Sequence, residues 1–368
     1  MNWLGKLSLL LITLLPALAW SNKDSSHTAI FMYSHIGEPG YSNTNISLKQ
    51  FEAHLAYLEK HDYQVWPLAK IADHLKNGLI IPDRTVAITF DDGHLSLYKR
   101  AYPRLKKRGW PFTVFIYTDA IDKHPKRYIT WDQMREMRQH GASFANQSKT
   151  HGHLTRRHSN ENATAWSTRV RADIEHAQQR IHEELGHDPE ETPRLFSYPY
   201  GEYNLALAEI VEAAGYVGLG EQSGPAGPYS DLRVLPRYPI SEGHDSVAEF
   251  AVKASSLALP VSEVTPWEPL LTHTNPPRMV ATLAVAADDV RLDQLACHVS
   301  GQGRVKVKWL DKNRRRFAVQ ASQPLRMGRS RYNCSAPSVK EPGRYYWFSH
   351  LWVRENDGRV TKRPASRP

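Results

Sequence analysis

Two modules are expected from the order of the elements: a parallel α/β domain and, behind it, a small all-β sandwich. Short β-branched apolar runs alternate with helical stretches as far as residue 260, the pattern of strands joined by helical crossovers in a parallel sheet, open or closed into a barrel. From residue 278 the helical period disappears and strand-like runs alternate with turns. Between them residues 261–277 are rich in proline and read as a linker. At 368 residues the chain suits two domains, and 41% hydrophobic residues can fill their cores. Nothing in the composition points to disorder, collagen or coiled coil.

The first module, residues 27–260, opens with "TAIFMYS", a short apolar strand. "SLKQFEAHLAYLEKH" is a helix, with Phe51, Leu55 and Leu58 on one face and Ser47 as N-cap. "YQVWPL" reads as a strand and "LAKIADHLKNG" as a helix stopped by Gly78. "TVAITF" is a buried strand that runs into "DDGH". "SLYKRAYPRLKKRG" reads as a helix with a proline inside it, and "FTVFIYT" as a strand. "TWDQMREMRQHG" is a helix ending at Gly141, and "ASFAN" a brief strand. A long amphipathic helix follows from Asn162, then the strand and tight turn of "RLFSYPYG", the helix "NLALAEIVEAAG" and the strand "YVGLG". In the second module, residues 278–356, the runs "MVATLAVA", "ACHVS", "RVKVKWL", "RFAVQAS" and "GRYYWFSHLWV" fit an immunoglobulin-like sandwich. Its Trp309, Trp347 and Trp352 read as core.

The ends and the charge suggest where the chain works. Residues 1–19 read as a secretory signal peptide: Lys6, the apolar run "LSLLLITLLPALA" and a small-x-small site at Ala17-Leu18-Ala19. The run is short for a membrane anchor, which needs roughly 20 residues. Cleavage would leave an exported protein, periplasmic or extracellular, without a transmembrane segment. There Cys297 and Cys334 would form one disulfide, the alternative being two buried thiols. From Pro276 onward there are 19 Lys and Arg against 7 Asp and Glu, including the basic tail 357–368. Such a module suits an anionic glycan or envelope surface, or is simply a solvated face; nucleic acid does not fit an exported protein.

"TFDDG", Thr89 to Gly93, is the strongest chemical signal. Asp91 and Asp92 follow a buried strand, where parallel sheets collect their chemistry. Two adjacent carboxylates repel, and a cation beside them keeps both ionised. One can hold that cation while the other acts as a base. The plainer alternative is a helix cap and a solvated turn residue.

"TFDDG", the loop "QSKTHGHL" some 55 residues on and "YPYG" after it resemble the polysaccharide deacetylases of the NodB-homology type, carbohydrate esterase family 4. The strand and helices ahead of "TFDDG" are similar to the poly-N-acetylglucosamine deacetylase branch. The resemblance covers about residues 30–260 and implies a distorted (β/α) barrel. It also implies one divalent metal, zinc first and nickel or cobalt as alternatives. Asp91 matches the general base, Asp92 the carboxylate ligand, and Gln147 and His151 the histidine pair at i and i+4. Gln147 departs from that pattern, since a neutral amide oxygen is a poorer ligand than imidazole and would hold the metal weakly. His153 is a substitute ligand or a surface residue. Ser197 stands where many members have an arginine that orients the base, and Arg237 is the replacement or a surface arginine. The general acid is His35 or His273, because Ser34 occupies the branch's histidine position. Tyr198 and Tyr200 suit sugar stacking, Trp131 suits it less than core packing, and the turn at Tyr200 and Gly201 could offer backbone N–H groups to an oxyanion. The implied activity is metal-dependent removal of acetyl groups, N-acetyl first, from a glycan. The rival reading is an impaired relative that binds polysaccharide without cleaving it, because Gln147 and Ser34 replace histidines.

Overall fold

The computed structural model describes residues 26–124, 126–186, 192–271, 274–284, 287–313 and 315–355. The signal-peptide stretch, His273 and the basic tail lie outside them. Among the described residues no helix is long and apolar enough to cross a membrane.

One curled parallel sheet organises the first module. Its strands are β1 (Thr28–Tyr33), β2 (Gln64–Val65), β3 (Thr85–Phe90), β4 (Phe112–Ile116), β5 (Ala142–Asn146), β6 (Arg194–Ser197), β7 (Tyr216–Leu219) and β8 (Tyr238–Pro239). They lie in the order β8-β1-β3-β4-β5-β6-β7, with β2 against the start of β3. β3 and β4 are buried along their whole length, which is why they read as continuous apolar runs rather than alternating ones. Their side chains still divide by face. Val86, Ile88 and Phe90 join Phe51, Leu105 and Met134 of the surrounding helices, while Ala87 and Phe115 join Ile30, Leu195 and Leu219 inside the curl.

The helices begin where polar side chains cap them. Ser47, Asn162, Asn204 and Ser246 each accept a backbone N–H from the first turn of α1 (Leu48–Lys60), α6 (Ala163–Leu185), α7 (Leu205–Ala213) and α8 (Val247–Ala254). Thr130 and Gln133 close a capping box on α5 (Trp131–Arg138). α2 spans Leu68–Asn77 and α4 spans Thr118–Lys123. Pro103 does not interrupt a helix as expected. A π-helical turn, Leu97–Ala101, precedes α3 (Tyr102–Arg108), so the proline falls in the first turn, where its missing N–H costs nothing.

The second module is two antiparallel layers sharing one core. β9 (Leu257–Ala258), β12 (Ala296–Val299), β13 (Gly303–Val305), β16 (Gly328–Pro337) and β17 (Tyr345–Arg354) form one sheet in the order β9-β17-β16-β12-β13. β10 (Val261–Thr265), β11 (Arg278–Leu283), β14 (Val307–Trp309) and β15 (Arg316–Gln320) form the other, in the order β10-β11-β15-β14. Among the described strands of this module only β9 runs parallel to its neighbour. Met279, Phe317, Tyr332 and Trp352 are buried between the layers. Cys297 and Cys334 are disulfide-bonded cross-strand partners on β12 and β16, within one sheet rather than between the two.

The proline-rich segment is not an open linker. Val261–Thr265 carries β-branched residues between its prolines and pairs with β11, while Leu257–Ala258 pairs with β17. The sandwich therefore starts before residue 278 and packs directly on the first module. Leu351 and Val353 of β17 share a core cluster with Phe196, Tyr198 and Tyr203. Arg329 of β16 donates to the Tyr200 carbonyl and pairs with Glu221.

Candidate active site

The C-terminal ends of the parallel strands gather the chemistry, as that sheet geometry requires. β3 delivers Asp91 and Asp92, β1 delivers Ser34, the loop after β5 delivers Gln147 and His151, and β6 leads into Ser197 and the turn at Tyr200. Arg237 arrives just before β8.

Asp91 and Arg237 form a buried pair. Asp91 is 3% exposed and Arg237 is fully buried. Nη1 of Arg237 donates to Oδ1 of Asp91 at 2.6 Å and Nη2 donates to Oδ2 at 2.8 Å. The rest of the fork is also used: Nε donates to the Gly220 carbonyl and Nη2 to Ser197 Oγ, both at 2.9 Å. Ser197 in turn donates to Asp91 Oδ2 at 3.3 Å. Burial pushes the Asp91 carboxyl up to about 6, against the pull of the Arg237 charge and its hydrogen bonds. A carboxylate with that value is ionised at neutral pH and basic enough to take a proton.

Asp92 is built differently. Its backbone lies in the left-handed region at φ 72°, followed by Gly93 at φ 71°. At Gly93 a Cβ would also meet Ile116 Cγ2 at 3.0 Å, so both conformation and space call for glycine. Ser34 Oγ donates to Asp92 Oδ2 at 3.1 Å, and His94 Nε2 lies 3.3 Å from the same oxygen. His151 Nε2 lies 3.4 Å from Oδ1. Burial alone would raise Asp92, but the His94 hydrogen bond, the His151 and His94 charges and Ser34 together hold it at about 2.

The loop carrying His151 is held by its backbone. Ser148 and His151 have φ 70° and 53°. Asn146 Oδ1 accepts the Ser148 N–H at 2.8 Å, Ser148 Oγ accepts the His151 N–H at 2.9 Å, and Asp173 accepts the Lys149 N–H at 2.8 Å. Burial lowers the His151 pKa, with Asp92 opposing, so the ring favours its neutral form. Its Nε2 is buried and has no hydrogen-bond partner.

The fit to a metal rests on that unpartnered nitrogen. A neutral imidazole facing a carboxylate oxygen, with no other partner, suits a shared cation. Asp92 and His151 fit that role. Gln147 does not complete the set as it stands, because its side-chain oxygen accepts the Asp92 backbone N–H at 3.1 Å. Among the described residues no group of three or more His, Cys, Asp or Glu side chains is placed to hold a metal ion.

Several expected residues lie elsewhere. Tyr198 is fully buried and its hydroxyl donates to the Arg233 carbonyl at 2.7 Å, so it is core and cannot stack on a sugar. His35 does not face the carboxylates; Ser34 does, as opposite pointing of neighbouring strand residues dictates. The His35 ring stacks between Tyr41 and His94, and burial with the His94 charge pushes its pKa down to about 4. His153 turns to Glu202 at 2.6 Å and stacks on Tyr200. Trp131 donates to Asp122 at the protein surface. Tyr200 is 38% exposed with its ring against His151, and Gly201 follows it in the turn.

His94 was missed. The available signal was a histidine two residues beyond Asp92 across a glycine: consecutive left-handed residues fold the chain back, so i and i+2 side chains meet.

The sequence model of the polysaccharide deacetylase family matches residues 80–219. YxkH of Bacillus subtilis, named for that family, is 30% identical over 217 residues, which cover 58% of this chain and 71% of the relative. A poly-beta-1,6-N-acetyl-D-glucosamine N-deacetylase of Staphylococcus aureus is 27% identical over 216 residues, 58% of this chain and 73% of the relative. Two solved structures share the fold of the first module. Streptococcus pyogenes deacetylase PplD in complex with acetate has TM-score 0.55 at 22% identity, over 62% of this chain and 97% of that one. IcaB from Ammonifex degensii has TM-score 0.54 at 23% identity, with the same coverage of 62% and 97%. With its buried aspartate–arginine pair and second aspartate at the end of β3, the chain belongs to the polysaccharide deacetylase family.

Proposed function

We propose that this protein is an exported, metal-dependent deacetylase that hydrolyses N-acetyl groups of a glucosamine-containing polysaccharide. The observation that carries the reading is the Asp91–Arg237 pair: a buried base, oriented through both oxygens, beside a second carboxylate of much lower pKa. Environments that drive two neighbouring carboxylates apart assign them different roles. Asp92 and His151 would hold the divalent ion, with zinc, nickel or cobalt suiting the donors. Bound there, such an ion polarises the acetyl carbonyl and acidifies a water molecule.

The chain's own residues do the rest. Asp91 takes a proton from the water that adds to the acetyl carbon. Arg237 and Ser197 hold its carboxylate still while it does so. The Gly201 N–H is taken by the Tyr198 carbonyl at 2.8 Å, which leaves the Tyr200 N–H as the donor the turn would offer the developing oxyanion. The C–N bond then breaks, acetate leaves, and Asp91 returns its proton to the amine. Tyr200, exposed beside His151, offers an aromatic face to a pyranose ring. In the sandwich, here read as immunoglobulin-like, the exposed Arg304, Lys306 and Lys308 alternate along one edge and suit an anionic glycan.

The rival, a cleft that binds without cleaving, rests on Gln147 and Ser34. The complete Asp91–Arg237 pair and the unpartnered His151 nitrogen weigh against it. Acetate release from acetylated glucosamine oligomers, with and without chelator, decides between them. Chelator-sensitive release that Asp91→Asn abolishes supports the enzyme. Oligomer binding by metal-supplemented protein without any acetate release refutes it.

A further inference from the structure

Where the sandwich meets the first module, the two enclose a cavity of about 500 Å³, and none of Asp91, Asp92, His151 or Tyr200 lines it. We propose that this cavity holds one N-acetylated sugar unit of a glycan, as an anchoring site separate from the catalytic cleft. The proposal rests on the deacetylase reading for the source of that sugar, not for the cavity.

The cavity exists because the chain leaves the edge of β17 and comes back to it. The Leu259 N–H donates to the Trp347 carbonyl at 3.0 Å, after which the chain crosses to the other sheet as β10. It returns at Pro269, whose carbonyl accepts the Val353 N–H at 2.8 Å. In an antiparallel ladder, alternate residues of a strand turn their backbone groups to the same edge. Ser349 therefore turns its N–H and C=O to the edge used by Trp347 and Val353. Neither group has a backbone partner there among the described residues, and Ser349 lines the cavity. An open strand edge pairs with a group that carries one N–H and one C=O. An acetamido substituent is such a group.

The walls suit the rest of the sugar. Trp267 is pinned: its Nε1 donates to Asp231 at 2.8 Å, and its ring centre lies 4.4 Å from the Arg233 guanidinium. Trp347, expected in the sandwich core, is half-buried at the cavity wall with Trp267 and Phe348. Half-buried rings present apolar faces to the C–H groups of a pyranose. The polar groups among them carry no free charge. Arg233 is closed on Asp231, Nε donating to Oδ1 at 3.0 Å and Nη2 to Oδ2 at 2.7 Å. His350 is 6% exposed, and burial pushes its pKa down to about 3, so the ring is neutral. Its Nε2 has no hydrogen-bond partner among the described residues. A neutral ligand with polar groups and an apolar face fits these walls, and an unpaired anion does not.

An N-acetylglucosamine trimer is the probe, titrated calorimetrically into full-length protein with chelator present. A glucose trimer of the same linkage, with hydroxyls in place of the acetamides, is the comparison. The wild type should bind the acetylated trimer about tenfold or more tightly than the glucose trimer, the worth of two hydrogen bonds. That selectivity is read without any variant. Ser262 is exposed where it lines the cavity, so Ser262→Trp obstructs entry without disturbing a packed position. It should weaken trimer binding about tenfold or more, as should Trp267→Ala. Tyr200→Ala, altered in the catalytic cleft, should keep the binding that Ser262→Trp removes. Equal affinity for the two trimers, unchanged affinity in a folded Ser262→Trp, or loss of all binding in Tyr200→Ala would overturn the proposal. Acetate release from the acetylated trimer is measured on chelator-free samples. Ser262-sensitive binding without acetate release would sink the deacetylase reading and leave the anchoring site standing. Acetate release without such binding would do the reverse.

Discussion

Replacing Arg237 with methionine removes the charge that Asp91 faces while keeping much of the side-chain volume. Holding Asp91 at about 6 instead of 3.8 already costs the native protein roughly 3 kcal/mol at pH 7. Without the guanidinium, the carboxyl has no reason to stay ionised in its buried site and is protonated instead. Protonating a group of pKa about 6 at pH 7 adds roughly 1.4 kcal/mol. The Gly220 carbonyl and Ser197 hydroxyl also lose a buried donor, each at roughly 1–3 kcal/mol. The sum, roughly 3–7 kcal/mol, overlaps at its lower end the roughly 3–5 kcal/mol expected for breaking a buried pair from one side. Urea unfolding at pH 7 and pH 5 reads it. The sign is fixed by the raised pKa: the native state holds the Asp91 proton more tightly than the unfolded chain, so lowering the pH relieves the strain. The relief is larger in the variant, and its deficit should narrow toward pH 5. Adding Asp91→Asn should recover part of the loss at pH 7 but no acetate release. A variant within about 1 kcal/mol of wild type at pH 7, with undiminished activity, would refute the account of the pair.

The pH profile of kcat/KM should fall about tenfold per unit below about 6, as Asp91 gains its proton; Arg237→Lys should move that limb upward, and an unmoved limb would separate Arg237 from the base. Gly201→Ala should lower kcat/KM about a hundredfold, because Gly201 has φ 61° and a Cβ there would lie 2.7 Å from Glu221 Cβ; near-normal turnover would show that the turn does not hold the reacting groups. Cys297→Ala with Cys334→Ala, which opens a crosslink spanning 37 residues, should cost about 2–4 kcal/mol in denaturant unfolding. His153→Ala should leave cobalt affinity within about threefold, since His153 is paired with Glu202 rather than Asp92; a larger loss would return it to the metal.

The fold was readable where local pattern and burial agree. β3 and β4 are central parallel strands, so their uninterrupted apolar runs leave little ambiguity. The caps at Ser47 and Asn162 sit where hydrogen-bonding side chains precede helical periods. Val261–Thr265 was read as linker because the prolines on either side of it outweigh a short β-branched stretch whose partner strand, β11, is known only from the fold. The site was legible at Asp91, Asp92 and His151, where a motif stands in for geometry. Tyr198 and His35 were misplaced for a common reason: side-chain direction at a strand end depends on where the strand stops, and sequence boundaries are uncertain by a residue or more. His94 escaped because two successive left-handed residues, one of them the aspartate itself, fold it back onto Asp92.

Leu351 and Val353 reach from β17 into the cluster behind Tyr198 and Tyr203. To natural selection the sandwich is therefore no detachable accessory. A nonsense codon or a nick past residue 277 would spare every catalytic side chain named above and still strip the backing from the turn that presents Tyr200. Late truncations should behave genetically as losses of the enzyme, and recombination should pass the two halves on together.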